Sequence, residues 1–156
     1  MKLSDRGNSI VYLMMIENVL KRMNVTSVKL RLHPSESSDW YYKHLNADFF
    51  RPDNGPLSKS LNNATLVIGP TSSTFVDALM FGVNYVVYEP GLSKNRDIFN
   101  HFIGYPFNGS EQRVPVAASE KALEVILVNK HGIDPSILPE LVHNSFNLST
   151  VLELIK

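Results

Sequence analysis

The segment from Leu66 to Gly82 constrains the fold of this chain more than any other part of it. It reads LVIGPTSSTFVDALMFG: an apolar run, a turn rich in hydroxyls, and an amphipathic stretch that stops at glycine. Apolar residues on both faces, from Thr65 to Ile68, are typical of a buried parallel strand. A helix is expected next, from about Ser72 to Phe81, because Gly82 supplies a helix stop. The segment therefore predicts one strand–turn–helix unit of an α/β sheet.

The turn between this strand and this helix predicts an anion site. In open α/β sheets, ligands bind at the carboxyl ends of the strands. A helix N-terminus adds free N–H groups and the positive end of a dipole, which suit a phosphate. Capping a helix requires a single hydroxyl, whereas this turn has four in succession. We therefore expect these side chains to contact a ligand: Thr71, Ser72, Ser73 and Thr74.

Helical and strand patterns alternate along the rest of the chain. The predicted elements are a helix that Asn8 or Ser9 caps and that runs to about Asn24, a strand Val28–Leu32, a helix from Asp39 to about Leu45, a short strand within Asp48–Asp53, a helix Leu57–Asn63, a strand Asn84–Tyr88, a helix that Ser119 caps and that runs to Lys130, and short helices near Pro135–His143 and Leu148–Ile155. Residues 91–116 are loop-like. This order predicts an α/β fold, a Rossmann-like parallel sheet flanked by helices, with right-handed crossovers.

A single domain is expected over residues 1–156, which is an ordinary domain size. Sheets of this type normally begin with a strand, yet the first predicted element here is a helix. The pattern therefore favours a fragment or half-protein, whose first strand and amino-terminal domain lie elsewhere.

Charge and composition narrow the classes of function. Fifteen Lys and Arg balance fifteen Asp and Glu, so no net field attracts nucleic acid. The lack of cysteine excludes disulfides and thiolate metal sites and fits a cytoplasmic location. No apolar run approaches the roughly 20 residues of a membrane span. The five histidines have no metal-ligand spacing, and GxGxxG and Walker sequences are absent. We expect no metal and no cofactor.

A second strand end carries candidate site residues. His33 and Pro34 follow the strand that begins at Val28, and Arg31 lies two residues before the histidine on the same face. A histidine there would face the same crevice as the hydroxyl turn. It can donate to a phosphate and stabilise a leaving group near neutral pH. The alternative is a histidine that makes only a local hydrogen bond at the strand end.

Glu89 ends the strand Asn84–Tyr88 on the crevice side. A carboxylate there can accept from a ribose hydroxyl, as the acidic residue of dinucleotide folds does. Its position before Pro90 and Gly91 favours the alternative, a solvent-exposed glutamate at a turn.

Three short sequences resemble, in order and spacing, the carboxy-terminal half of bacterial sialyltransferases and polysialyltransferases. They are LRLHP at Leu30–Pro34, GPTSST at Gly69–Thr74 and YVVYEP at Tyr85–Pro90. The resemblance covers about residues 28–90. These enzymes have the GT-B fold and use CMP-sialic acid, and their His-Pro and Ser-Ser/Thr motifs contact the CMP phosphate. Kdo transferases and other capsule-related enzymes look similar at this level.

The resemblance implies a function for the matching residues. His33 would bind the phosphate and assist the departure of CMP, and Ser72 and Ser73, with Thr74, would hold the same phosphate. The chain would be the donor-binding domain of a bacterial enzyme that transfers sialic acid or a related sugar from a CMP-sugar, its donor substrate, to a capsule or lipopolysaccharide acceptor. The implied partners are the nucleotide sugar and an acceptor-binding domain or chain, and the full enzyme would associate peripherally with the inner face of the membrane.

The chain departs from this family in two respects. The catalytic base of the family lies in an Asp/Glu-Asp/Glu-Gly motif of the amino-terminal domain, which does not occur here. We therefore expect the isolated chain to bind nucleotide weakly and to transfer nothing. Some members also have a ribose-binding acid around the position of Pro56 and Leu57. Ser58 to Leu61 include no carboxylate, which leaves Glu89 as a substitute.

Two other interpretations remain open. The same fold serves UDP-sugar transferases and epimerases, which the preference among CMP, UDP and GDP would distinguish. A non-catalytic half, which completes a two-chain transferase or has lost its site, would keep partner binding without nucleotide affinity.

Overall fold

The computed structural model describes residues 3–92 and 101–141. The helices are α1 Leu3–Arg22, α2 Ser38–Tyr42, α3 Leu57–Asn62, α4 Thr74–Met80, α5 Glu120–Val128 and α6 Leu138–Leu141, the last preceded by a 3-10 turn at Pro135–Ile137. The strands are β1 Val28–Leu30, β2 Phe50–Pro52, β3 Leu66–Gly69, β4 Asn84–Tyr88 and β5 Val116–Ala117. The predicted helix Leu148–Ile155 and the end of the one near Pro135–His143 lie outside the described residues.

All strand pairs in the described residues are parallel, as predicted. β1 pairs with β2, with Val28 opposite Phe50. A second sheet has the order β3-β4-β5, with Leu66 opposite Asn84 and Val87 opposite Val116. The chain is thus a mixed α/β protein with small parallel sheets between helices. None of its described helices is long and apolar enough to cross a membrane.

Helix α1 begins earlier than the sequence pattern indicates. Asn8 and Ser9, the predicted caps, lie inside the helix. One face of the helix is buried through side chains at helical spacing. These are Tyr12, Ile16, Val19 and Leu20. The Tyr12 hydroxyl also donates to the carbonyl oxygen of Tyr88, at 3.1 Å, which ties α1 to β4.

Strand β4 separates two hydrophobic cores, because its side chains alternate between its faces. Val86 and Tyr88 belong to the α1-side core, which also contains Val19 and Leu123. Tyr85 and Val87 belong to the α4-side core. The other buried members of the α4-side core include Phe75, Ala78, Leu79, Val114 and Ile137. β4 therefore contributes side chains to the packing on both of its faces.

Two predictions about the segment Leu66–Gly82 need correction. Strand β3 is not buried on both faces along its length, since Leu66 is 37% exposed. β3 is an edge of its sheet, with a hydrogen-bonded neighbour on one side only. Helix α4 begins at Thr74, two residues later than predicted, because the Ser72 hydroxyl accepts the Thr74 N–H and forms a turn before the helix. Gly82, at φ +70°, ends it as predicted.

Candidate functional site

Strand β1 ends at Leu30, two residues earlier than predicted, so Arg31 and Leu32 separate it from His33. The His33 ring contacts the next turn of the chain. Its Nδ1 lies 2.7 Å from the Ser35 hydroxyl and accepts the Ser35 backbone N–H at 3.2 Å. A backbone N–H can only donate, so Nδ1 is the acceptor nitrogen in this contact. The proton then lies on Nε2. The exposed imidazole therefore offers an Nε2–H donor to a ligand.

A pocket of about 190 Å³ opens beside His33. It is lined by Leu30, Leu32, His33, Pro34, Glu36, Ser38, Tyr42, Asp53 and Asn54. Small-molecule sites are commonly 300–1,000 Å³, so this pocket fits a part of a nucleotide rather than a whole nucleotide sugar. The lining combines hydroxyl, amide and carboxylate groups with apolar side chains. Such a lining suits the hydroxyls and carbon skeleton of a sugar ring.

Two carboxylates of this pocket are held in place. The Tyr41 hydroxyl donates to Glu36 Oε1 at 2.6 Å, and the His33 N–H donates to Oε2 at 3.2 Å. The Asp53 side chain is 13% exposed. Burial, together with the charge of Asp53, raises the pKa of Tyr42, which places that carboxylate near the phenol.

Asp53 and Asn54 are site residues that the sequence interpretation missed. Both follow β2, the strand parallel to β1, so they lie at the same edge of the sheet as His33. The Asp53 N–H donates to the Leu30 carbonyl at 3.0 Å, which extends the pairing of the two strands. An acidic residue directly after a predicted strand was the signal that could have identified them.

Arg31 is directed to the connection between β2 and α3. Its Nη1 donates to the carbonyl oxygen of Gly55 at 2.7 Å and to the Ser60 hydroxyl at 3.2 Å. The same atom lies 3.4 Å from Asp53 Oδ2. This guanidinium already has protein partners. Its predicted contact with a nucleotide stays a prediction.

The four hydroxyls of the predicted anion site divide into two pairs. Ser72 Oγ donates to Thr74 Oγ1 at 3.1 Å and accepts the Thr74 N–H at 3.3 Å, so these two are part of the turn itself. Thr71 and Ser73 are exposed. In the part of the chain that the structure describes, neither of their hydroxyls makes a hydrogen bond, and Ser73 caps α4 by position without a side-chain bond. Thr71 and Ser73 are therefore the pair available to a ligand.

Glu89 is buried, and the interpretation as a solvent-exposed glutamate is wrong. It is only 3% exposed, and its carboxylate accepts the backbone N–H of Thr71. Tyr85, on the same face of β4, donates its hydroxyl to the Pro70 carbonyl at 2.7 Å. Burial and the charge of Glu89 raise the pKa of Tyr85. Tyr85 of β4 and Glu89, which directly follows that strand, thus both hold the hydroxyl turn through hydrogen bonds to its backbone.

The described contacts place the candidate residues in two groups. The first group comprises His33, the pocket beside it and Arg31. The second comprises the hydroxyl turn Pro70–Thr74, whose backbone is held by Tyr85 and Glu89. Both groups follow strands that pack on the same core, because Leu30 of β1 and Ile68 of β3 contact the α1-side core. Both lie at carboxyl ends of parallel strands.

Neither a candidate metal site in the described residues nor a similar known protein adds to this description. No group of three or more His, Asp or Glu side chains within residues 3–92 and 101–141 could hold a metal ion. Comparison with protein-family models, with curated proteins and with solved structures gives no match. Inferences about function therefore depend on the residues and their geometry.

Proposed function

We propose that this chain is a Rossmann-like nucleotide-binding domain, the donor half of a GT-B glycosyltransferase that uses a CMP-sugar such as CMP-sialic acid. The observation that carries the proposal is the position of His33 and the hydrogen bonding of its ring. It stands at the carboxyl end of a parallel strand, beside a sugar-sized pocket, with Nδ1 occupied and Nε2 as the donor. The resemblance of the motifs around His33 and Ser73 supports CMP as the nucleotide.

The chemistry assigned to the site is stabilisation of the leaving group. In glycosyl transfer the bond between the sugar carbon and the phosphate oxygen breaks, and CMP departs with the bonding electrons and an added negative charge. Donors placed at that oxygen stabilise the charge as it develops. His33 Nε2–H and the hydroxyls of Thr71 and Ser73 are the donors. The group that removes the acceptor proton belongs to the acceptor domain.

We assign the ribose hydroxyls to Asp53. Glu89 already accepts a backbone N–H under the turn, whereas Asp53 lines the pocket beside His33. A carboxylate accepts from two neighbouring hydroxyls of a ribose. Asn54, in the same lining, adds a group that can both donate and accept.

Calorimetric titration of the protein with CMP, UDP and GDP tests the proposal. We expect CMP to bind most tightly. Replacing His33 or Ser73 by alanine removes a donor to a charged phosphate, worth about 1.5–3 kcal/mol, and so weakens CMP binding about tenfold or more. His131→Ala is the matched control, because His131 is exposed beyond α5.

Three results would contradict the proposal in different ways. A preference for UDP would indicate a UDP-sugar transferase or epimerase with the same fold. Equal loss of affinity in the His131 variant would mean that the effect is not specific to the site. The absence of binding to any of the three nucleotides would favour a non-catalytic interaction domain.

A further inference from the structure

Arg31, which directly follows β1, contacts three points between the end of β2 and α3. One acceptor, Asp53, ends the β1–β2 pairing; the second, the Gly55 carbonyl, lies in the turn; the third, Ser60, lies in α3. Ser60 in turn donates to the Pro56 carbonyl at 3.2 Å. A single guanidinium therefore holds the segment that forms one wall of the pocket.

The electrostatics of this cluster do not favour a phosphate next to Arg31. Its positive charge is paired with Asp53, at 3.4 Å, and Glu36 adds a second carboxylate to the same pocket. A charge paired in this way attracts a further anion weakly. The pairing leaves Asp53 as an acceptor for neutral donors such as hydroxyls.

We infer that Arg31 is a positioning residue, which fixes Asp53 and the β2–α3 connection so that the carboxylate meets the ribose hydroxyls, and that it does not contact the phosphate. The inference rests on the proposed function, since it concerns the nucleoside part of the same site. All three contacts are made by Nη1, whose two N–H groups are fixed in the guanidinium plane, whereas lysine offers a compact point charge.

Binding of cytidine, CMP and 2′,3′-dideoxycytidine to Arg31→Ala tests the inference. If Arg31 acts through Asp53, cytidine and CMP lose affinity by the same factor, roughly tenfold for a hydrogen bond to a charged group. Dideoxycytidine, which lacks the hydroxyls, loses little. Combining Arg31→Ala with Asp53→Asn adds little further loss, because both changes remove the same interaction. Arg31→Lys restores less than half of the lost binding free energy.

Arg51→Ala is the matched control, since Arg51 lies on β2 and is 59% exposed. A loss of CMP affinity with unchanged cytidine affinity in Arg31→Ala would identify a phosphate contact and overturn the inference.

Hydrogen exchange on the unliganded protein tests the same contact without a nucleotide. Arg31→Ala should raise exchange at the amides between Asp53 and Ser60, with Arg51→Ala unchanged. Unaltered exchange there would overturn the inference. A wild-type protein that binds none of the nucleotides would contradict the proposed function alone, and the exchange result would still decide whether Arg31 holds the connection.

Discussion

Gly69 and Tyr85 are the residues on which the hydroxyl turn depends most directly. A Cβ at position 69 would overlap the Tyr85 hydroxyl, which is hydrogen-bonded to Pro70, and the Tyr85 ring is buried and unable to move aside. We therefore expect Gly69→Ala to destabilise the protein by about 1–3 kcal/mol, the usual cost of overpacking. Urea unfolding measures it. In a Tyr85→Phe background the same substitution should cost less, because the overlapping oxygen is gone.

Gly55→Ala provides the control for this pair. The added methyl group there meets nothing closer than Asp53 Oδ1 at 3.9 Å, and a change within about 0.5 kcal/mol is expected. Gly69→Ala with wild-type stability, or with the same cost in both backgrounds, would show that Tyr85 does not limit this position.

At this scale, local sequence could predict some site residues and not others. The position of His33 shortly after a strand was predictable from Pro34, which cannot continue a strand, although β1 already ends at Leu30. The burial of Glu89 was not, since it depends on a partner 18 residues away, the Thr71 N–H, that no local pattern identifies. Asp53 was missed for a similar reason. Its strand has only three residues, too few for a clear alternation, and its place beside His33 comes from the pairing of β1 with β2.

Among the secondary-structure elements, α5 and α4 offer a direct comparison of two serine N-caps. Ser119 Oγ accepts the Ala122 N–H at 3.2 Å, whereas Ser73 makes no such bond. Ser119→Ala should cost about 1 kcal/mol of stability, the usual value for a lost cap, and Ser73→Ala less than half of that. Thermal or urea unfolding of the two variants checks this. An equal loss in both would mean that Ser73 has a structural role, and would weaken its assignment to a ligand.

The elements also indicate how far periodicity predicts a fold. The helix α1 and the strand β4 were predictable, because apolar residues recur along both segments. No pattern predicts β5: Val116 ends the segment predicted to be loop-like, and the pairing of β5 with Val87 and Tyr88 comes from tertiary contacts. α4 has seven residues, and so the turn before it depends on its hydroxyls more than on a helix dipole.

For the whole molecule, the central question is whether the two cores unfold together. They meet at β4, whose alternate residues enter one core or the other. Trp40, the single tryptophan of the sequence, packs against the α1-side core. Its fluorescence therefore reports on one core, while a substitution can be made in the other.

Ile137 is fully buried in the α4-side core, on the opposite side of β4 from Trp40. Ile137→Ala should destabilise the protein by about 2–5 kcal/mol, because it removes packed methyl groups and leaves a cavity. If β4 couples the cores, the urea midpoint from Trp40 fluorescence falls together with that from circular dichroism. Val128→Ala, at a site 64% exposed, should leave both midpoints unchanged. A Trp40 midpoint that stays at the wild-type value while the circular dichroism transition moves would show that the two cores unfold as independent units.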